Sequence, residues 1–309
     1  MPSPAGATRR RLSGAALDWR RSRLAVPLAL GAVGVLLWAL AAALGGASVV
    51  DGTALGACGG PVHVDGQVWH CRFDDEFSGT AVDTRRWHVL RSSEYGFQAG
   101  PECYVDDPQH VRVGGGVLTL TATRSANPCP LSGQGYESGA IASYTGFSQR
   151  YGRFAVRAQL VDSPGVDSAL WMYPAHPRYG PWPSSGEIDI AETFGLGDSK
   201  AWPTIHYRGA DGQEVHPGSA CRVAQLGHRF HVYAVDWTPR LIRFSYDGKV
   251  CFQTRDWQPA APLTQPQPFD QPFYVVLQLA LGAVGTPAAP TPATPLPVSM
   301  RVDWVRAWK

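Results

Sequence analysis

Three carboxylates lie within six residues of the sequence, at Glu187, Asp189 and Glu192. On a regular β-strand, Glu187 and Asp189 share one face and Glu192 points to the other. A β-bulge after Asp189 would bring Glu192 back to the shared face. The segment therefore predicts either a divided set of acids or a bulged strand that presents all three on one surface.

Two carboxyl groups on one surface are sufficient for retaining glycoside hydrolysis. One attacks the anomeric carbon and the other donates a proton to the leaving oxygen. That chemistry requires about 5–5.5 Å between the carboxyl groups, whereas five strand positions span about 17 Å between Cα atoms. A strongly bent strand, the bulge and the long Glu side chains would have to close the gap. Asp189 would then hydrogen-bond the nucleophile and tune the titration of the pair.

The same spacing also occurs on solvated acidic faces and in calcium sites. Two features of the surrounding sequence favour the catalytic interpretation. Ile188 and Ile190 predict that the opposite face of the strand is buried. Trp171 and Trp182 lie upstream, and their rings could stack on sugars.

The elements that would position these residues are predicted to be β-strands, because apolar and polar residues alternate with a period of two. After residue 50 the sequence contains neither a long amphipathic helix nor a repeat of 20–50 residues. Strands separated by Gly and Pro turns predict an all-β sandwich or jelly roll. The predicted strands are Val117–Thr123, Arg153–Leu160, Phe230–Trp237, Ile242–Tyr246, Val250–Gln253, Phe273–Leu281 and Val298–Trp308.

The amino-terminal residues have the pattern of a membrane address. Residues 1–23 contain six Arg and one Asp, and no charged residue occurs from 24 to 50. Residues 24–44 would form a helix of about 31 Å, close to the roughly 30 Å hydrocarbon thickness. The positive-inside rule makes 1–23 a basic cytoplasmic segment. We predict that 24–46 is either a transmembrane signal anchor or a signal peptide, whose cleavage would release a secreted protein.

Residues 47–69 are interpreted as a linker to a single domain at 70–309. The chain after residue 23 is mildly acidic, with 21 basic and 24 acidic residues, and this argues against nucleic-acid binding. None of the six cysteines forms a CxxC pair, so zinc and thioredoxin-like chemistry have no support. An even number outside the cell indicates disulfides, with 15 alternative pairings. Sequential pairing is the simplest: Cys58–Cys71, Cys103–Cys129 and Cys221–Cys251.

The segment Gly186-Glu-Ile-Asp-Ile-Ala-Glu192 resembles the signature of glycoside hydrolase family 16, in its bulged, laminarinase-like version. The resemblance extends over about 235 residues, from Phe73–Gly79 to Val302–Arg306. The cysteine pattern and the stretch Pro266–Pro272 resemble an actinobacterial branch. Further matching motifs lie, in family order, at 139–144, 147–154, 169–171, 205–207, 230–237 and 247–249.

This resemblance implies a β-jelly-roll sandwich of two curved antiparallel sheets, with a cleft on the concave side. It implies Glu187 as the nucleophile, Glu192 as the general acid and then base, and Asp189 as an assisting acid. Positions that would bind substrate are Trp171, Trp182, His206, Arg157 and Gln278.

Other interpretations stay open for several of these positions. Trp171 could belong to the core, His206 could be a structural histidine and Arg157 could be a solvated arginine. The sequence also departs from the family pattern, since Ala155 stands where Glu is common and Gln278 where Asn is common. We expect the change at Ala155 to alter a sugar subsite.

The resemblance implies an endo-acting enzyme that cleaves internal β-1,3 or mixed β-1,3/1,4 linkages of a β-glucan, with no required cofactor. The alternatives are a transglycosylase or galactan hydrolase of the same fold, or a non-catalytic β-glucan-binding module. A structural calcium ion on the convex side is common in the family, and the matching positions are Glu76, Gly116 and Asp303. The expected location is extracytoplasmic, either anchored to the membrane through 24–46 or secreted.

Overall fold

The computed structural model describes residues 57–309. This part of the chain contains a 3-10 turn at Ala57–Gly59, a short helix α1 at Ser92–Tyr95, and many β-strands. The strands are β1 Val62–Val64, β2 Gln67–Trp69, β3 Cys71–Asp75, β4 His88–Val89, β5 Cys103–Tyr104, β6 Val111–Gly114, β7 Val117–Arg124, β8 Tyr136–Ser138, β9 Ala140–Ala142, β10 Gly152–Gln159, β11 Val166–Pro174, β12 Glu187–Glu192, β13 Lys200–Arg208, β14 Glu214–Val215, β15 Cys221–Arg222, β16 His231–Thr238, β17 Leu241–Tyr246, β18 Lys249–Thr254, β19 Phe273–Leu281 and β20 Val298–Trp308.

Two large sheets form the body of the domain. The ten-stranded sheet has the order β18-β17-β16-β10-β20-β7-β8-β5, with β3 also paired to β20 and β6 to β7. The eight-stranded sheet has the order β14-β13-β12-β11-β19-β9-β4, with β15 beside β13. Neighbouring strands are antiparallel except for β5 and β8, which are parallel. The predicted all-β jelly-roll sandwich is therefore confirmed.

The core lies between the two sheets and is filled by alternate residues of the long strands. On β10, Phe154, Val156 and Ala158 are buried in this core, so Ala155 and Arg157 face the outer side. The alternation predicted from the sequence therefore matches the alternation of core-facing and outward-facing residues on these strands. The residues that β19 contributes to the core are Phe273, Val275, Leu277, Leu279 and Leu281.

Part of the predicted linker is folded onto the domain, which corrects the boundary that we expected at residue 70. β1 and β2 form an antiparallel hairpin. Trp69 and Cys58 are buried against Ala155 on the outer face of the ten-stranded sheet. Three-residue strands are too short to show an alternation, and the Cys58–Cys71 disulfide helps to hold them. The folded domain therefore includes residues 57–69.

All three sequential disulfides are formed, which confirms the simplest pairing. Their Cα–Cα distances are 5.7, 5.3 and 5.9 Å, within the usual range. Cys221 lies on β15 of the eight-stranded sheet and Cys251 on β18 of the ten-stranded sheet. The third disulfide therefore joins the two sheets.

The predicted membrane segment precedes the residues that the structure describes. The segments 1–23 and 24–46, and the first ten residues of the predicted linker, lie outside the described residues. Within residues 57–309, no helix is long and apolar enough to cross a membrane.

Candidate active site

The three candidate acids lie on β12, which pairs with β11 on one side and β13 on the other. Ile188 and Ile190 are buried in the core between the sheets. The acids therefore point to the opposite face of the eight-stranded sheet, which we call the cleft face. Glu187 is 3% exposed, Asp189 1% and Glu192 2%, so this part of the cleft face is deeply recessed.

β12 contains a bulge, which was one of the two arrangements predicted from the sequence. Leu170 and Trp171 are neighbours on β11, but their partners on β12 are Ala191 and Asp189, so one residue of β12 is skipped. The register between β12 and β13 is also broken after Asp189. The extra residue brings Glu192 onto the cleft face, and of the two predicted arrangements the bulged one is present.

The bulge is supported from the core side. Tyr246, on β17 of the ten-stranded sheet, donates its hydroxyl to the carbonyl oxygen of Ile190 at 3.0 Å. A bulge disrupts the ladder locally, and a buried carbonyl then needs another donor. Burial, with a smaller effect from nearby anionic groups, raises the pKa of Tyr246. The hydroxyl therefore keeps the proton that this hydrogen bond requires.

His206 completes a cluster with two of the acids. It stands opposite Glu187 in the register of β12 and β13. One carboxylate oxygen each from Glu187 and Asp189 and one ring nitrogen of His206 all lie within 4.8 Å of one another. The structure therefore places the predicted His206 beside the predicted nucleophile, while Glu192 lies farther along β12, opposite Trp202.

The electrostatics of His206 depend on two carboxylates. Its Nε2 lies 2.9 Å from Oδ2 of Asp189, and its Nδ1 lies 2.7 Å from Oε1 of Glu214. Burial alone would lower the pKa of His206. The charge of Asp189 and the hydrogen bonds to both carboxylates outweigh burial and raise the pKa of His206 to about 10. The ring is therefore a cation at neutral pH.

Aromatic side chains extend the cleft face on both sides of the acids. The ring of Trp182 lies 5.9 Å from that of His206. Trp171 donates its Nε1 to Oε1 of Gln278 at 3.0 Å, so these two predicted residues also meet. Rings of this kind can stack on sugar rings. From Trp171 a series of ring contacts continues across the sheet through Tyr173, Tyr274, Tyr144 and His88.

Glu214 and the tyrosines of this face were not predicted from the sequence. Tyr173 follows Trp171 by two positions and Tyr274 shares the alternation of Gln278, so the period of two was a usable signal. Burial and the charge of Glu187 raise the pKa of Tyr173 to about 12, which places its hydroxyl near the candidate nucleophile. Glu214 had no comparable signal, because it reaches His206 from a separate strand.

Arg157 does not reach the cleft face, and its predicted role in substrate binding is contradicted. It lies on β10 of the ten-stranded sheet, facing away from the core, where it forms an ion pair with Asp303. Its guanidinium also lies 4.9 Å from the centre of the Phe230 ring. Ala155 shares this outer face and packs in the cluster that contains Trp69. The expected effect of Ala155 on a sugar subsite is therefore also wrong.

The predicted calcium residues have other partners in the structure. Glu76 forms an ion pair with Arg306 at 2.6 Å, and Asp303 is paired with Arg157. Gly116 lies in the turn between β6 and β7. Since arginines already neutralise the carboxylates of Glu76 and Asp303, the charges of these residues do not require a bound cation. Calcium binding stays a prediction, and no step of the mechanism below uses it.

Comparisons with known proteins agree with this fold. The model of glycosyl hydrolases family 16 matches residues 102–306. Glucan endo-1,3-beta-glucosidase A1 of Niallia circulans is 32% identical over 257 residues, covering 77% of this chain and 37% of that protein. A beta-glucanase of Rhodothermus marinus is 31% identical over 252 residues, covering 78% of this chain and 85% of that protein.

A solved structure shows the same architecture. The X-ray structure of the laminarinase from Rhodothermus marinus superposes with a TM-score of 0.67 at 31% identity, covering 78% of this chain and 97% of that one. The chain thus spans 37% of the length of the Niallia relative but most of the Rhodothermus proteins. Both β12 and the strands that flank it fall inside the matched region. The chain belongs to glycoside hydrolase family 16.

Proposed function

We propose that this protein is a retaining glycoside hydrolase that cleaves internal β-1,3 or mixed β-1,3/1,4 linkages of a β-glucan. The observation that carries the proposal is β12, on which a bulge presents three buried acids on one face between aromatic rings. The glucanase and glucosidase names of the Rhodothermus and Niallia relatives support a glucan as the substrate.

In the first step of the proposed mechanism, the Glu187 carboxylate attacks the anomeric carbon of the bound sugar. The carboxyl of Glu192 gives its proton to the leaving glycosidic oxygen. The bond between the anomeric carbon and that oxygen breaks, and a covalent ester joins the sugar to Glu187. One part of the glucan chain leaves with the new hydroxyl group.

In the second step, the Glu192 carboxylate takes a proton from water as the water oxygen attacks the anomeric carbon. The ester breaks, the sugar leaves with its configuration retained, and both acids return to their initial states. Asp189 hydrogen-bonds Glu187 in this scheme. The ring of His206 lies beside both acids and pairs with Asp189 at 2.9 Å.

Substrate binding is assigned to the aromatic part of the cleft face. Trp171 and Trp182 would stack on sugar rings on either side of the cleaved bond. Gln278 orients the indole of Trp171 through the hydrogen bond between them. We propose further that residues 24–46 anchor the domain outside the membrane, a proposal supported by the basic segment that precedes an uncharged apolar stretch.

The test is the release of reducing ends by the purified full chain in detergent, from laminarin, lichenan and a panel of galactans. Glu187→Gln should lower kcat at least about 1000-fold, as removal of a covalent nucleophile does. Glu137→Gln is a matched control, because Glu137 lies on β8 of the other sheet. Equal loss of activity in both variants would contradict the assignment of the nucleophile.

Each alternative function has its own outcome in the same assay. Cleavage of galactans alone would keep the mechanism and replace the substrate. Longer products in the presence of an added acceptor sugar would identify a transglycosylase. Glycan binding without any cleavage, unchanged in Glu187→Gln, would identify a binding module and overturn the enzyme proposal.

A further inference from the structure

The segment after β13 folds back along that strand and brings charged groups to His206. Val215 pairs with Tyr207, and Gly218 forms a bridge with Thr204, so residues 214–218 run antiparallel to β13. Side chains of alternate residues share a face. Because the chain turns back in this way, Oε1 of Glu214 lies beside Nδ1 of His206.

The two ring nitrogens of His206 are each occupied by a different carboxylate. Nε2 lies 2.9 Å from Asp189, and Nδ1 lies 2.7 Å from Glu214. A neutral imidazole has one N–H group, whereas the imidazolium has two. With a carboxylate oxygen beside each ring nitrogen, the imidazolium is the favoured form, because it donates Nδ1–H to Glu214 and forms an ion pair with Asp189. The side chain of His206 is 11% exposed and that of Glu214 is 34% exposed, so the pair lies at the edge of the buried acids.

We propose that Glu214 is a positioning residue that keeps His206 doubly protonated, so that the ring remains a cationic partner of Asp189 throughout the working pH range. This inference rests on the proposed hydrolase mechanism, in which Asp189 assists Glu187. Hydrogen bonds between charged partners are shorter and about twice as strong as neutral ones. Glu214 would thus act on the nucleophile through two intermediate side chains.

Other charged or titratable groups also surround His206 and must be considered. Glu187 and Asp189 face it from β12. His216 stacks on it with ring centres 5.9 Å apart. Arg208 lies two residues along β13, where its guanidinium contacts Ser184 and the carbonyl of Gly212. The carboxylates favour the imidazolium and the Arg208 guanidinium opposes it, so removal of Glu214 shifts the balance towards the neutral ring.

The test compares the full chain with Glu214→Gln, which keeps the shape of the side chain and removes its charge. The pKa of His206 is measured by NMR from its ring signals, assigned with His206→Gln, and kcat/KM is measured on laminarin from pH 5 to 9. In Glu214→Gln we expect a lower pKa of His206 and an extra ionisation in kcat/KM at the same pH. Above the pKa of His206 in Glu214→Gln, kcat/KM of this variant should be about fivefold to tenfold below that of the unaltered chain. At pH 5 the two values of kcat/KM should agree within twofold.

Glu137→Gln provides the matched control, since Glu137 is 31% exposed and lies 3.9 Å from another buried histidine, His110. Its kcat/KM profile should superpose on that of the unaltered chain. Glu214→Asp keeps the charge and should restore most of the high pKa of His206. An unchanged pKa of His206 in Glu214→Gln, or superposed profiles, would overturn the proposal. Absence of activity in the unaltered chain would instead refute the hydrolase, while the NMR measurement would still decide the protonation of His206.

Discussion

At the scale of single residues, Glu102 is a buried carboxyl outside the catalytic strand. It accepts hydrogen bonds from the backbone N–H groups of Gly100 at 3.2 Å and Leu281 at 3.0 Å. Burial raises the pKa of Glu102 to about 7, against an ordinary value of 4.5, although these hydrogen bonds oppose the shift. The side chain thus ties the loop before β5 to the end of β19 and titrates near neutrality.

The shifted pKa of Glu102 predicts a specific dependence of stability on pH. Because the folded state binds the proton more tightly, its contribution is fully present below pH 4.5 and is lost as the pH rises through about 7. The loss is on the order of 3 kcal/mol. Urea unfolding of the unaltered chain and Glu102→Gln should therefore give a difference in unfolding free energy that decreases across this window. A difference that stays constant with pH would contradict the prediction.

The sequence predicted the residues that lie in one motif or one alternation. Glu187, Asp189 and Glu192 could be found because their spacing is local, and Trp171 and Gln278 were expected to bind substrate because of the family resemblance. Glu214 could not be found, because its contact with His206 depends on the chain folding back after β13. Contacts of that kind follow from topology and not from spacing.

At the scale of elements, the bulge in β12 sets which face Glu192 occupies. Deletion of Ala191 would leave Glu187, Asp189 and the last acid in regular alternation on the cleft face. Insertion of one Ala after Ala191 would also bring that acid to the cleft face of a regular strand, but two positions farther from Glu187, about 7 Å along the strand, which is too far for the paired carboxyl chemistry. We expect the deletion variant to keep a kcat/KM on laminarin at least tenfold above that of the insertion variant.

The paired indel variants control for each other, because each changes the length of β12 by one residue. Circular dichroism and thermal unfolding would establish that the deletion variant is folded before its activity is measured. If the insertion variant were the more active of the two, the position that the bulge gives Glu192 along β12 would not be the one that catalysis requires.

Several long strands were predicted from alternation, although β11 and β13, with nine residues each, were not among them. The predicted Val117–Thr123 differs from β7 by one residue, and Phe273–Leu281 matches β19. β4, β5, β14 and β15 have two residues each, too few to show any period. Arg157 shows a second limit, because alternation assigns the face of a strand but not the sheet that the strand joins.

At the scale of the whole molecule, a second apolar cluster covers the outer face of the ten-stranded sheet. It includes Trp69, Cys58 and Val64 from the amino-terminal segment and Ala155 and Trp308 from the sheet. The sandwich itself was predictable from the strands. The cover was not, because its hairpin is short and its residues had been interpreted as a linker.

We expect this cover to contribute to stability without affecting catalysis. Trp69→Ala removes a large buried side chain and should lower the free energy of unfolding by about 3 kcal/mol. Its kcat/KM on laminarin should stay within twofold of the unaltered chain, because Trp69 and the acids lie on opposite outer faces of the sandwich. Trp171→Ala, on the cleft face, is the contrasting variant and should lower kcat/KM. A large loss of activity in Trp69→Ala would contradict this separation.

The position of the hairpin formed by β1 and β2 also bears on how the cleft is oriented towards a polymeric substrate. The chain joins the domain at Cys58, on the side of the sandwich that faces away from the acids. A tether through the upstream residues would therefore pull on the back of the domain and leave the opening of the active site directed outward. Such an orientation suits a substrate fixed in a surrounding matrix, since a long glucan strand can lie across the cleft without first passing the point of attachment.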